Sequence, residues 1–251
     1  MHKEINFLLE IEYLGTKYFG FQIQNKKIAK EISIQGVIED SLKKLFNQEI
    51  RINCSGRTDR SVHAKGQVIN FKVKTKIPIN NIKIALNSFL PQDIRIKQIK
   101  KVPLEFHARF SAKSKIYRYI ILNRKQPSVF LSDFSWYVSE SLDINKMKKV
   151  SKLLEGERDF SLFAKEPRKY KHCIRTVKYI CIKRRGSFIY IDIEANGFLR
   201  NMVRNIVSFL VSIGLGKVKL QNVNLILDKK IKHCNKPAPG GGLYLSKVKY
   251  K

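Results

Sequence analysis

Strand-like and helix-like patterns alternate along this chain in an order that few folds can accommodate. Ile5, Phe7, Leu9, Ile11 and Tyr13 alternate with more polar neighbours, the period-two signature of a half-buried strand. Ser33 then stands where a helix N-cap belongs, and Ile34, Val37, Ile38, Leu42, Leu45 and Phe46 recur at helical spacing. A short strand over 51–54, a loop over 56–66 and a strand over 67–73 follow, the last with Ile69, Phe71 and Val73 on one face. Pro78 opens a second helix through Ile82, Ala85, Leu86 and Phe89, and 94–99 reads as another strand. The order β-α-β-β-α-β is that of a split ferredoxin-like unit.

The second half runs in the same order. Tyr117, Tyr119 and Ile121 alternate within 115–122. Asp143 is placed to cap a helix whose stripe is Ile144, Met147, Val150 and Leu154, and 177–182 with 188–193 form a hairpin around Arg185–Gly186. A long helix covers 202–213, a short one 223–228, and a last strand 242–248. Self-similarity between the halves is architectural only. The expected fold is therefore α+β: two ferredoxin-like halves, residues 1–104 and 105–251, with mainly antiparallel sheets side by side and a basic groove between them.

Charge suggests what such a groove would hold. The chain has 50 Lys plus Arg against 20 Asp plus Glu, a formal net charge of +30. Part of this has a neutral explanation: 36 of the cations are Lys, and Ile (31) and Asn (16) are also abundant, as an A/T-rich coding sequence would produce. A pI near 10 on a chain that is 43% hydrophobic nevertheless favours a polyanionic partner, with nucleic acid first and an anionic membrane surface second. Disorder is disfavoured, because the apolar content suffices for a core.

Several classes are excluded on pattern. No run of about 18 apolar residues is present to span a bilayer, and Met1–Asn6 leads into no signal-peptide pattern, so a cytoplasmic protein is expected. Cys54, Cys173, Cys181 and Cys234 form no C-x-x-C pair and read as separate reduced thiols, although His172 and His233 each precede a cysteine. No phosphate-binding G-x-x-x-x-G-K-[ST] or G-x-G-x-x-G occurs, and Pro239-Gly240-Gly241-Gly242 leads into a strand and reads as a turn. Carboxylates do not cluster as a two-metal nuclease requires. His63 and His107 lack a nucleophile or metal companion in sequence and read as structural.

Gly56-Arg57-Thr58-Asp59-Arg60-Ser61-Val62-His63-Ala64 is the most unusual stretch. Asp59 is a lone carboxylate between arginines. One reading makes it the acceptor of an Asx-type turn beside Thr58, the commoner duty for such a residue. The other makes it a nucleophile or base kept ionised by its cationic neighbours.

This loop, with Gly66-Gln67-Val68, resembles the catalytic-loop signature of the tRNA pseudouridine synthase A family. The similarity extends over nearly the whole chain and in family order. It includes Glu12-Tyr13-Leu14-Gly15-Thr16-Lys17-Tyr18-Phe19-Gly20-Phe21-Gln22 and Phe106-His107-Ala108-Arg109-Phe110-Ser111-Ala112 with Tyr117-Arg118-Tyr119. It continues through Gly156-Glu157-Arg158-Asp159-Phe160, Met202-Val203-Arg204-Asn205-Ile206-Val207, and Ala238-Pro239 with Gly242-Leu243-Tyr244-Leu245.

The resemblance implies isomerisation of uridine to pseudouridine in the tRNA anticodon stem-loop, at positions 38, 39 and 40, without metal or cofactor. It implies that Asp59 is the catalytic carboxylate and that Tyr117 stacks on the uracil and is a candidate to take the C5 proton. Arg204 would pair with the aspartate, Arg57 would help flip the target and hold the backbone, and Leu243 would wall the uracil pocket. Arg109, Arg118 and Gln22 are candidate RNA contacts, and a homodimer is implied.

The chain also departs from the family pattern. Arg60-Ser61 replaces the usual Ala-Gly, Phe21 a tryptophan, Gly197 an alanine and Asn201 a histidine. If Ser61 must take a positive φ, the loop carries about 1 kcal/mol of strain or rearranges. Two other functions fit the same charge: a non-catalytic RNA-binding protein, and a synthase acting on another RNA or another tRNA uridine.

Overall fold

The structure is a computed structural model and describes residues 3–24, 32–231 and 236–250. It divides into two compact units, Met1–Lys113 with Leu245–Lys251, and Ser114–Tyr244. The expected boundary at 104/105 differs in two respects: the first unit continues through the 103–113 connection, and the last strand returns to it. Cys234 and His233 lie outside the described residues.

In the first unit, β1 (Glu4–Tyr13) is central, flanked by β3 (His63–Lys74) and β4 (Ile94–Val102), with β2 (Asn53–Cys54) on β3. All these pairings are antiparallel, and β1 sets Leu9 opposite Ile69 on one side and Ile99 on the other. Helix α1 (Ile34–Phe46) begins as expected: the Ser33 side chain accepts the Gly36 N–H at 3.1 Å, and Ile34, Ile38 and Leu42 are buried. Helix α2 (Ile79–Phe89) follows Pro78 and buries Ile82 and Leu86. This is the βαββαβ order with strand order β4-β1-β3-β2. One boundary moves: β3 starts at His63 rather than 67, because Ala64 still pairs with Tyr13 of β1.

The second unit carries β5 (Ser114–Asn123), β6 (Trp136–Val138), α3 (Ile144–Lys152), β7 (Gly156–Asp159), β8 (Ile174–Arg185), β9 (Phe188–Ala195), α4 (Met202–Gly214) and α5 (Val223–Leu227). Its strands lie in the order β5-β9-β8-β7, antiparallel throughout, with β6 added parallel to β5. The Asp143 carboxylate accepts the Lys146 N–H at 3.0 Å and starts α3. Helix α4 is buried on most of its circumference. A Cβ on Gly214 would lie 2.8 Å from the Met147 sulfur, so α3 and α4 approach where the glycine permits. The final strand, β10 (Leu243–Lys249), starts in this unit and ends beside β3 in the first. The sheet is mixed instead of purely antiparallel, since β6 runs parallel to β5, and two α+β units are the expected fold class.

Candidate active site

In the first unit, Asp59 lies on the loop between β2 and β3, and the segment after β1 fixes that loop from outside. The Phe21 N–H donates to the Thr58 carbonyl at 3.0 Å, and the Gly15 N–H donates to His63 Nδ1 at 3.0 Å. A Cβ on Gly15 would stand 2.1 Å from the Val62 carbonyl oxygen. One on Gly20, whose φ is +96°, would stand 2.7 Å from that of Thr58. Only glycine allows the two segments to lie this close. The Glu12–Gln22 segment and the Gly56–Ala64 loop, separate motifs in the sequence, are thus packed directly together. His63 is a buried structural histidine, as its sequence context implied.

From inside, a buried polar network braces the same loop. Tyr13 Oη and Thr58 Oγ1 are 2.8 Å apart. Gln67 donates to the Gly56 carbonyl at 2.7 Å and accepts from the Ser55 hydroxyl at 2.6 Å. Burial pushes the Tyr13 phenol far above its ordinary pKa, so it stays a neutral hydrogen-bonding group. Residue patterns singled out neither Ser55 nor the role of Gln67. The signal available was Gln67, a polar residue on the strand face that Ile69, Phe71 and Val73 make apolar.

The loop itself turns tightly, with the Val62 N–H donating to the Asp59 carbonyl at 3.2 Å. Ser61 sits at φ +61°, the left-handed conformation expected if the loop keeps its shape without glycine. Asp59 is half-buried, with Arg57 and Arg60 exposed on either side. The Arg60 guanidinium lies 4.4 Å from the centre of the Phe19 ring, a cation–π contact that ties it to the bracing segment. Gln22 is exposed at the end of that segment.

In the second unit, Tyr117 on β5 is 7% exposed, its ring edge-on to Phe198 at 5.0 Å. Arg204, in the first turn of α4, donates through Nε to the Ala238 carbonyl at 2.6 Å, and the Ala238 N–H returns a bond to the Arg204 carbonyl at 3.2 Å. That exchange ties the Ala238–Tyr244 segment to the helix. Tyr119 donates to the Pro239 carbonyl at 2.7 Å, and its ring fills the space a Cβ on Gly242 would need. Burial raises the Tyr119 phenol pKa, partly opposed by the Arg204 charge. Gly240–Gly242 forms one 3-10 turn before β10, as the glycine run implied. Leu243 and Tyr244 are buried beyond it, with Tyr244 bonded to the Phe134 carbonyl and its pKa pushed up by burial to about 12.

Two charged motif residues have structural partners. Arg118 makes a two-pronged ion pair with Asp192 on β9, at 2.7 and 2.8 Å, so its charge is already matched. Asp159, in the Gly156–Phe160 motif, pairs with Lys229 at 2.6 Å, which holds its carboxyl below the usual range. Arg109 is exposed beside Phe110. Among the described residues, no group of three or more His, Cys, Asp or Glu gathers as metal ligands, and no helix is long and apolar enough to cross a membrane.

Comparison with known proteins identifies the family. The family model described as tRNA pseudouridine synthase matches residues 10–111 and 150–251. The tRNA pseudouridine synthase A of Thermoanaerobacter sp. (strain X514) is 44% identical over 246 residues, 98% of this chain and 99% of that protein. That of Caldicellulosiruptor bescii is 42% identical over 247 residues, with the same coverage. That of Pseudothermotoga lettingae is 36% identical over 247, covering 97% of this chain and 99% of its own. With Asp59 on a doubly braced loop and the matched segments spanning both units, the chain belongs to the tRNA pseudouridine synthase family.

Proposed function

We propose that the protein isomerises uridine to pseudouridine in the anticodon stem-loop of tRNA, at positions 38, 39 and 40, with Asp59 as the catalytic carboxylate. The observation that carries the reading is the bracing of the Asp59 loop. A loop fixed by two close glycine approaches and a buried hydrogen-bond network suits a side chain that must meet one atom. Near-full-length similarity to synthases of this family supports the reaction class.

The chemistry is a redistribution of bonds within one nucleotide. The N1–C1′ bond breaks, the uracil turns, C5 bonds to C1′, C5 loses its proton and N1 gains one. No electrons are lost or gained, so the reaction calls for no redox partner. Asp59 works beside the ribose, either by attack on C1′ or on a route through a glycal. A covalent adduct would divide one difficult step into two easier ones. The target must leave the helical stack to reach such a group.

In this reading Tyr117 stacks on the uracil, Arg204 partners the catalytic carboxylate, Leu243 forms an apolar wall, and Arg57 helps extrude the target and hold its backbone. The protein acts as a cytoplasmic homodimer on tRNA, without metal or cofactor. Arg109 and Gln22 are offered as RNA contacts. Arg118 suits that task least, since Asp192 already takes its charge.

Mapping pseudouridine on bulk tRNA treated with the purified protein tests reaction and position together. Conversion at positions 38 to 40, undiminished by EDTA, is expected. Asp59→Asn should lower turnover by at least ~10³-fold while tRNA binding stays measurable. Conversion that survives Asp59→Asn overturns the mechanism.

A further inference from the structure

Outside the braced loop, the first unit displays an aromatic ring where solvent would ordinarily select a polar residue. Phe110, in the connection between β4 and β5, is 75% exposed. The backbone on either side of it is held by hydrogen bonds at Phe106, His107, Ala108 and Ser111. Asn6 and Asn70 donate to the Phe106 carbonyl at 3.0 and 3.3 Å. The Ala108 N–H donates to Asn70 Oδ1 at 2.8 Å, and its carbonyl accepts from Tyr250 at 2.7 Å. The His107 N–H donates to the Ser111 hydroxyl at 3.1 Å, and the Ser111 N–H returns to the His107 carbonyl at 2.9 Å. The exposed ring therefore stands on a preorganised base.

Its neighbours are the ones a nucleobase would need. The His107 ring centre lies 4.4 Å from that of Phe110, widening the aromatic surface. The Arg109 guanidinium lies 5.5 Å from the Phe110 ring centre, and the Arg109 backbone N–H donates to His107 Nδ1 at 3.1 Å. Arg109 and Lys113 are exposed cations in the 103–113 connection, against a single carboxylate, Glu105. An aromatic face beside positive charge fits an unstacked base with its phosphate. It fits the face of another protein less well, because the excess is of one sign in a chain of net charge +30.

We infer that Phe110, with His107 and Arg109, is a stacking platform for an unpaired base of the RNA substrate. The inference rests on the reading that tRNA is that substrate, and adds a contact made away from the isomerised uridine. Stacking is indifferent to base identity, so such a platform would orient many tRNAs without reading their sequence.

Filter binding of tRNA to the full chain at fixed salt tests it. Phe110→Ala should weaken Kd about tenfold, with the same loss in KM, and leave the salt slope unchanged, since a neutral ring releases no counterions. Arg109→Gln should reduce that slope by roughly 0.7–0.9. Phe110→Trp should keep the affinity, and the emission it adds to that of Trp136 should be quenched when tRNA is added. Wild-type affinity in Phe110→Ala, or unquenched emission in Phe110→Trp, overturns the platform. So does a loss in Phe110→Ala that tracks dissociation of a dimer in sedimentation, which would assign the ring to a second copy of the chain. If Phe110→Ala fails to fold, the Phe110→Trp signal decides alone. Wild-type protein that binds tRNA but converts no uridine defeats the synthase reading and leaves the Phe110 comparison standing.

Discussion

Ser61 shows how much a single position can be read from sequence. A residue standing where the family places glycine either strains the loop or reshapes it, and Ser61 is found at φ +61° with the turn from Asp59 to Val62 closed. A non-glycine residue there costs roughly 1 kcal/mol, partly offset because glycine would leave the unfolded chain freer. Ser61→Gly should therefore raise stability by about 0.5 kcal/mol, and Ser61→Val should lower it by about 1–2 kcal/mol, both read from urea denaturation midpoints. A Ser61→Gly variant no more stable than the parent would mean that the hydroxyl makes a compensating bond. Arg118 shows the opposite case. Its motif and charge made it a candidate RNA contact, but its partner Asp192 lies 74 residues away, and no local pattern could announce that pairing.

At the scale of elements, the long periodic segments were legible and the short polar ones were not. Strand β7, Gly-Glu-Arg-Asp, is exposed along its length, so it offers no alternation to detect; pairing with β8 alone makes it a strand. Strand β6 has three residues and exists because β5 accepts it. The start of β3 was hidden for a different reason. His63 is buried although polar, because its ring nitrogen meets the Gly15 N–H. Gln67 is likewise fully buried and polar, and it links the strand to the loop. Replacing it with leucine would leave the Ser55 hydroxyl without its acceptor and the Gly56 carbonyl without its donor. Gln67→Leu should cost about 2–3 kcal/mol in denaturant unfolding. Because the same bonds set the loop before Asp59, kcat on tRNA should fall about tenfold or more while KM changes little. A variant that loses stability but keeps kcat would show that the glycine contacts position the loop without the network.

For the molecule as a whole, the unresolved quantity in the sequence was how much of the +30 serves binding. Folding consumes little of it. Acidic residues are spread through both units, and several take a cation, as in Glu10 with Lys97, Glu39 with Arg51, Glu194 with Lys178 and Asp192 with Arg118. With 50 cations against 20 carboxylates, drift in coding composition and an RNA footprint are the two origins to separate, and a footprint can engage only the cations that face it. Salt dependence separates the two origins. Each phosphate neutralised contributes roughly 0.7–0.9 to the slope of log K against log salt, so a footprint of six to ten phosphates gives a slope near 5–9. Affinity for tRNA should then fall about 10³- to 10⁵-fold between 50 and 200 mM salt. Arg118→Gln should leave that slope unchanged, because Asp192 already neutralises the guanidinium. A slope approaching 20 would mean that the lysine excess wraps the RNA broadly, and the charge would then have to be counted as a binding device across the surface instead of a compositional background around a small number of placed contacts.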